Sequence, residues 1–257
     1  MQTKWKIAFL IVSALWLVAC APAQKPETSL QSDAGNVAST ADAQFKRGHN
    51  IPGKLYWAGS AQDKKVALTF DDGPDNIWTP KILDVLKQKG VKATFFVLGQ
   101  QAQKYPDMLR RIDAEGHVIG NHTFDHVNLA TVGSPKVDKE LEECANIVQG
   151  ITGKRPRLVR PPFGFHSPTV DNIVYSKGEI IVLWSLDTED WKGHDSRTVK
   201  QRILPKMKNG FIVLQHDGAN PHLSGSVQAL PEIIDGLKEQ GYTLVTIPEL
   251  LQVEPYQ

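Results

Sequence analysis

From residue 64 onward two textures alternate along the chain. Short apolar runs rich in β-branched and aromatic residues, at 66–70, 93–98, 117–120, 158–160, 180–184, 211–214 and 242–246, are predicted as strands. Between them, 80–89, 105–114, 136–148, 169–176, 198–208 and 227–240 repeat apolar residues at helical spacing. Gly90, Gly116, Gly178, Gly210 and Gly241 stand where several of these helices would close. Seven strands alternating with helices imply parallel β/α units, built either as a barrel or as an open doubly wound sheet. The polar clusters favour the barrel. Asp71-Asp72, His122 with His126, Arg160, Asp187 to Trp191, and His216 follow five different strands and can converge on one barrel mouth. An open sheet more often gathers its site at one switch point. The expected fold class is therefore α/β, a distorted or incomplete (β/α) barrel of about seven parallel strands, with no internal repeat and no second domain.

The first 53 residues have another texture. Lys4 and Lys6 precede an apolar run of about a dozen residues that ends in Leu17-Val18-Ala19-Cys20. The run is too short to span a bilayer, which takes about 20 apolar residues. It reads as an export signal over 1–19, and the four residues at its end resemble the bacterial lipobox, whose cysteine is acylated; the competing reading is a plain signal peptide. Residues 20–53, rich in Ala, Gln, Ser and Thr, read as a lipidated Cys20 followed by a flexible tether, which leaves 54–257 as the folded domain. An exported chain, lipid-anchored to the outer face of a bacterial membrane, is expected.

Composition adds mainly exclusions. Without residues 1–19 the chain carries 27 basic and 28 acidic residues, a charge of −1, and no basic stripe that would suit nucleic acid. Cys20 and Cys144 are the two cysteines, so no disulfide is expected once Cys20 is acylated. Cys144 shares helical spacing with Leu141 and Val148 and reads as a core residue rather than a nucleophile.

The chemistry lies in the clusters. In Thr69-Phe70-Asp71-Asp72-Gly73-Pro74 two adjacent carboxylates end a strand and repel each other unless a cation is near. His122 and His126, four apart, would share one face of a helical turn and grip a metal ion. Asp72, His122 and His126 would leave positions open for water, as catalytic sites do, although the same set also suits Fe(II). Asp71, the second carboxylate, is placed to take a proton from a water at the metal, which favours hydrolysis. Arg160, in Arg160-Pro161-Pro162-Phe163-Gly164, could pair with Asp71, and the stiff loop could offer the Phe163 N–H to an oxyanion. His216 suits a general acid kept charged by Asp190, while Trp191 and Leu214 could line a sugar or acyl pocket. His166, His194 and His222 lie in loops facing the same way but read as surface residues.

These five clusters, in this order, resemble the motifs of the polysaccharide deacetylases, the family 4 carbohydrate esterases with a NodB-homology domain. The likeness runs from about Lys64 to Leu251. The resemblance implies that Asp71 is the base, His216 the acid, Arg160 the residue that orients Asp71, and Asp190 the residue that tunes His216. It implies that Asp72, His122 and His126 bind zinc, or else cobalt, nickel or manganese. Phe163 would contribute its backbone N–H, and Trp191 and Leu214 an acetate pocket. Phe163 stands where the family often has tyrosine, so any contact made by a phenol is lost. The expected substrate of an enzyme tethered outside a bacterial membrane is peptidoglycan, at its N-acetylglucosamine or N-acetylmuramic acid residues. Chitooligosaccharides, another exported N-acetylated polymer and acetylxylan are the alternatives, and a monomer is expected. A non-catalytic carbohydrate-binding lipoprotein and an amidohydrolase of small cyclic amides are the rival classes.

Overall fold

In the computed structural model, residues 49–257 are described. The export signal, Cys20 and the tether up to residue 48 lie outside them. Among the described residues nine strands form, β1 Leu55–Tyr56, β2 Lys65–Asp71, β3 Thr94–Val97, β4 Val118–Asn121, β5 Leu158–Val159, β6 Ile180–Val182, β7 Leu186–Asp187, β8 Ile212–His216 and β9 Thr243–Leu244. Every pairing between them is parallel, in the order β1-β6-β5-β4-β3-β2-β8-β7, and β9 pairs with the start of β2.

The sheet must curl, and the chain itself proves it. β6 lies beside the strand at one edge and β7 is the other edge, yet only residues 183–185 separate them. Four residue steps reach at most about 14 Å. Within that step Leu183 N–H donates to Tyr56 of β1 and Ser185 N–H to Ile212 of β8. The result is the expected incomplete barrel.

Alternation along the strands sorts the side chains. Val66, Leu68 and Phe70 of β2, Phe95 and Val97 of β3, and Val213 of β8 face outward and pack with the helices in one apolar cluster. Ala67, Phe96, Ile212 and Leu214 face inward and belong to a second cluster, which also takes in helix residues such as Val137, Leu141, Val170 and Ile247. Asp71 and His216 continue the inward rows of β2 and β8. Gly120 of β4 is required here, because a β-carbon on it would lie 2.5 Å from the Phe96 ring.

Among the described residues eight α-helices pack around the sheet, α1 Thr79–Lys89, α2 Gly99–Lys104, α3 Pro106–Ala114, α4 Ser134–Thr152, α5 Pro168–Ser176, α6 Ser196–Ile203, α7 Ser224–Glu239 and α8 Ile247–Leu251. The glycines expected to close helices all have positive φ, from 64° at Gly90 to 82° at Gly241, where a β-carbon is disfavoured. The expected 198–208 helix stops at Ile203 and tightens into a 3₁₀ turn at Leu204–Lys206. Residue 50, ahead of the expected boundary at 54, is already held by the folded unit. Asn50 accepts from Trp57 N–H at 2.8 Å and donates to the Ala58 carbonyl at 2.7 Å.

Candidate active site

All five clusters meet at the C-terminal ends of the strands. Asp71 ends β2 and sits in register with His216 at the end of β8, so base and acid candidates face each other across neighbouring strands. Arg160 follows β5 and is completely buried despite its charge. Its guanidinium donates to Asp71 Oδ1 at 2.7 Å, Thr69 Oγ1 at 2.8 Å, the Val182 carbonyl at 3.0 Å and the Leu183 carbonyl at 3.1 Å. It also stacks 4.0 Å from the centre of the Phe96 ring. Burial lowers the pKa of Arg160, and the charge of Asp71 and their hydrogen bond oppose that shift. One carboxylate oxygen of Asp71 is thus fixed, while Oδ2 lies 3.8 Å from His122 Nε2.

Asp72 Oδ1 is 3.5 Å from His122 Nε2 and 3.3 Å from His126 Nε2. A ligand atom from each of the three residues lies within 4.8 Å of the others. Asp72 Oδ1 is buried without a hydrogen-bond partner, an arrangement that costs free energy unless a cation answers it. His122 Nδ1 lies 2.6 Å from the Arg160 carbonyl, an acceptor only, so Nδ1 holds the proton and a neutral ring keeps the Nε2 lone pair free. Burial is the main cause that lowers the pKa of His126 to about 4, which leaves it a neutral ligand at pH 7. The donor set therefore fits a divalent cation.

The two histidines do not share a helical turn. They converge because Thr123 and His126 adopt positive φ, 72° and 66°, and fold the loop back until the ring centres are 5.0 Å apart. Asp72 (74°), Phe163 (61°) and Glu189 (50°) add further left-handed residues around the site, the usual company of functional loops. Phe163 is half-exposed, and its ring centre lies 4.6 Å from that of His126 in a T-shaped arrangement.

Asp187 is the last residue of β7, and a 3₁₀ turn, Asp190–Lys192, follows. Asp190 is buried and accepts from both His216 N–H at 3.0 Å and Nδ1 at 2.7 Å. Burial opposes a charge on His216, but Asp190, helped by Asp72 and Asp71, outweighs it and raises the imidazolium pKa to about 10. Trp191 is 47% exposed, which rules out a core role, and the Lys192 ammonium lies 5.0 Å from the centre of its ring. Leu214 is buried, and its carbonyl accepts from Thr188 Oγ1 at 2.9 Å. His166 pairs with Asp171, His194 lies near Glu189, and His222 N–H donates to Asn220; none joins the metal-type cluster. Cys144 is free and buried, and burial pushes its thiol up to about 12.

Two supporting acids escaped the sequence reading. Asp217, beside His216, is buried against Gly73 N–H and the Thr79 hydroxyl, and burial raises its pKa well above the usual range. Gly73 has no room for a side chain, since a β-carbon would meet the Asp217 carboxylate at 2.2 Å. Glu140 of α4 is also fully buried and bonds to the histidine loop. Asp217 stands in the Leu214-Gln215-His216-Asp217 cluster, where the sequence assigns it no role, and Glu140 sits among surface-type charges and carries no sign at all.

The polysaccharide deacetylase family profile matches residues 58–179. A peptidoglycan-N-acetylglucosamine deacetylase of Bacillus cereus is 44% identical over 76% of this chain and 71% of its own length. A peptidoglycan-N-acetylmuramic acid deacetylase of Bacillus subtilis is 38% identical over 74% of this chain and 39% of its own. Among solved structures, a peptidoglycan N-acetylglucosamine deacetylase bound to a naphthalenyl N-oxidanyl-benzamide superimposes with a TM-score of 0.78. It is 41% identical, over 80% of this chain and 96% of that one.

Proposed function

Because the chain belongs to the polysaccharide deacetylase family, we propose that it removes acetyl groups from the N-acetylated sugars of peptidoglycan, N-acetylglucosamine or N-acetylmuramic acid, outside the bacterial membrane. It is a hydrolase. The observation that carries the reading is the pairing of a buried carboxylate, Asp71, with a charged imidazole, His216, beside the Asp72–His122–His126 cluster. Carbohydrate binding alone needs neither proton carrier.

A divalent cation held by Asp72, His122 and His126, zinc by preference for two imidazoles and one carboxylate, would polarise the acetyl carbonyl and make a water acidic at neutral pH. Asp71, with Oδ1 held by Arg160, takes the proton from the attacking water on its other oxygen. The Phe163 N–H supports the negative charge that develops on the carbonyl oxygen. His216, held charged by Asp190, gives its proton to the sugar nitrogen as the C–N bond breaks. The proton taken by Asp71 offsets the one given by His216, so water and amide leave as acetic acid and a free amine, and passage of the proton from Asp71 back to His216 through solvent resets the pair. Trp191 and Leu214 wall the acetyl pocket, and a monomer suffices because every group comes from one chain.

Acetate release from peptidoglycan, chitooligosaccharides and acetylxylan, each with and without a chelator, tests this directly. Release from peptidoglycan that stops with the chelator and returns with zinc is expected. Preference for either other substrate would reassign the polymer, and release that ignores the chelator would remove the metal from the mechanism.

Lipid anchoring through Cys20 belongs to the same reading, supported by Leu17-Val18-Ala19-Cys20. Cys20→Ala is expected to move the protein out of the detergent phase of lysed cells with its activity intact. Unchanged partitioning would mean that Cys20 is not the anchor.

A further inference from the structure

We infer that Glu140 is a positioning residue that sets how tightly the Asp72–His122–His126 cluster holds its cation, an inference that rests on the metal reading above. Glu140 lies inside α4, with no exposed surface. Its Oε2 accepts from two successive backbone N–H groups, Phe124 at 2.9 Å and Asp125 at 3.0 Å. Its Oε1 takes the ammonium of Lys136 one turn earlier, and Lys136 also reaches Asp125 Oδ2 at 3.2 Å. A carboxylate withdrawn from water is costly unless it is paired and hydrogen-bonded, and here Lys136 supplies the counter-charge while the loop between the two histidines supplies two N–H donors.

The two histidines depend on this loop unequally. His122 directly follows β4, and its ring is fixed by the Arg160 carbonyl, so its place does not rest on Glu140. His126 comes immediately after the two residues that Glu140 binds, with φ of 66° and its N–H on Thr123 Oγ1 at 3.2 Å. It is also the more exposed ring, with 28% of its side chain open against 3% for His122. From the other side, Gly99 and Gln100 N–H donate to the Thr123 and Phe124 carbonyls, and Asn121 accepts from Thr123 N–H. Glu140 therefore clamps the part of the loop that carries His126, from a helix that offers no ligand itself. Metal–ligand distances tolerate only about 0.2 Å of error, so a loosened His126 loses coordination before the fold loses stability.

Groups that orient a metal ligand typically account for 10- to 100-fold in affinity. Zinc would be titrated into the metal-free chain against a chromogenic chelator, for the native protein and for Glu140→Gln, with the melting temperature of both metal-free forms recorded. Glu140→Gln is expected to bind zinc about 10- to 100-fold more weakly while its metal-free form melts within a few degrees of native. Equal zinc affinity, with or without a lower melting temperature, would make Glu140 a purely structural acid and overturn the inference. Failure of the native chain to bind zinc would instead strike the metal reading itself. Should Glu140→Gln not fold, amide exchange at Phe124 and Asp125 in the native metal-free chain carries the test. Slow exchange is expected there, and exchange at the rate of an open loop would overturn the clamp.

Discussion

Asp71→Asn is expected to keep its metal and lose roughly two to four orders of magnitude in turnover, because the amide cannot take a proton from the attacking water. The substitution preserves shape, and Asn Oδ1 can still accept from Arg160, which Asp71 now holds at 2.7 Å. It does leave a fully buried guanidinium without its counter-charge, so the melting temperature should fall, and rates must be read well below it. His122→Ala should fail differently, losing metal and turnover together, because it removes a ligand whose geometry is fixed by the Arg160 carbonyl. Asp72→Asn should behave like the histidine variant, since it weakens the charged member of the cluster. Metal content by elemental analysis, measured beside acetate release, separates these cases. If Asp71→Asn loses its metal while Asp72→Asn keeps it, the two neighbouring acids have exchanged roles. If both keep full metal and full rate, the site lies elsewhere.

Asp190→Asn should cost a comparable two to four orders of magnitude near neutral pH and move the alkaline limb of the rate profile toward lower pH. Burial alone would discharge His216, and it is chiefly Asp190, hydrogen-bonded at Nδ1, that raises the imidazolium to about 10. Without that carboxylate the ring reverts toward its ordinary 6.5 or below, and too little of it is charged at pH 7–8 to protonate a leaving amine. A bound cation offsets the help from Asp71 and Asp72, so the native limb is expected below pH 10. The same pair enters stability with a definite sign. His216 binds its proton more tightly in the folded chain, so its contribution is complete below 6.5 and fades as pH rises toward about 10. Asp190 is lowered although burial opposes it, so its contribution is present above 3.8 and is lost at lower pH. The measurement is kcat/KM against pH for the native chain and the variant. A limb that stays in place after Asp190→Asn would identify another group as the acid.

Much of this arrangement was legible in the chain because chemistry and period coincided. Asp71-Asp72, His122, Arg160 and His216 each stand at or just after an apolar run, and the runs became strands. What escaped has physical reasons. β1 and β7 are two residues long, too short to show alternation, and the apolar stretch from Ile180 onward hid the crossing between opposite sheet edges. α2 is six residues, GQQAQK, of which only Gly99 and Ala102 are buried, so no apolar stripe announces it. The spacing of His122 and His126 suggested a helical turn, but two left-handed residues made the convergence instead. Arginine and glutamate are ordinarily surface residues, so the complete burial of Arg160 and Glu140 depends on partners gathered from distant segments.

Cys144 has a practical consequence. Its sulfur is sealed between α4 and the Val97 carbonyl of β3, under Gly99 at the start of α2, and burial holds it as the unreactive thiol. A form of the protein that begins after Cys20 carries this cysteine and no other. Such a form can be made in a reducing cytoplasm without oxidative folding machinery, and its one sulfhydryl becomes a built-in reporter. Alkylating reagents reach it only when the core opens, so the labelling rate counts openings of the region beneath the histidine loop. A ligand that binds only the closed form suppresses those openings in proportion to its occupancy. Slower alkylation on adding a cation would therefore register binding without any substrate, chromophore or engineered probe.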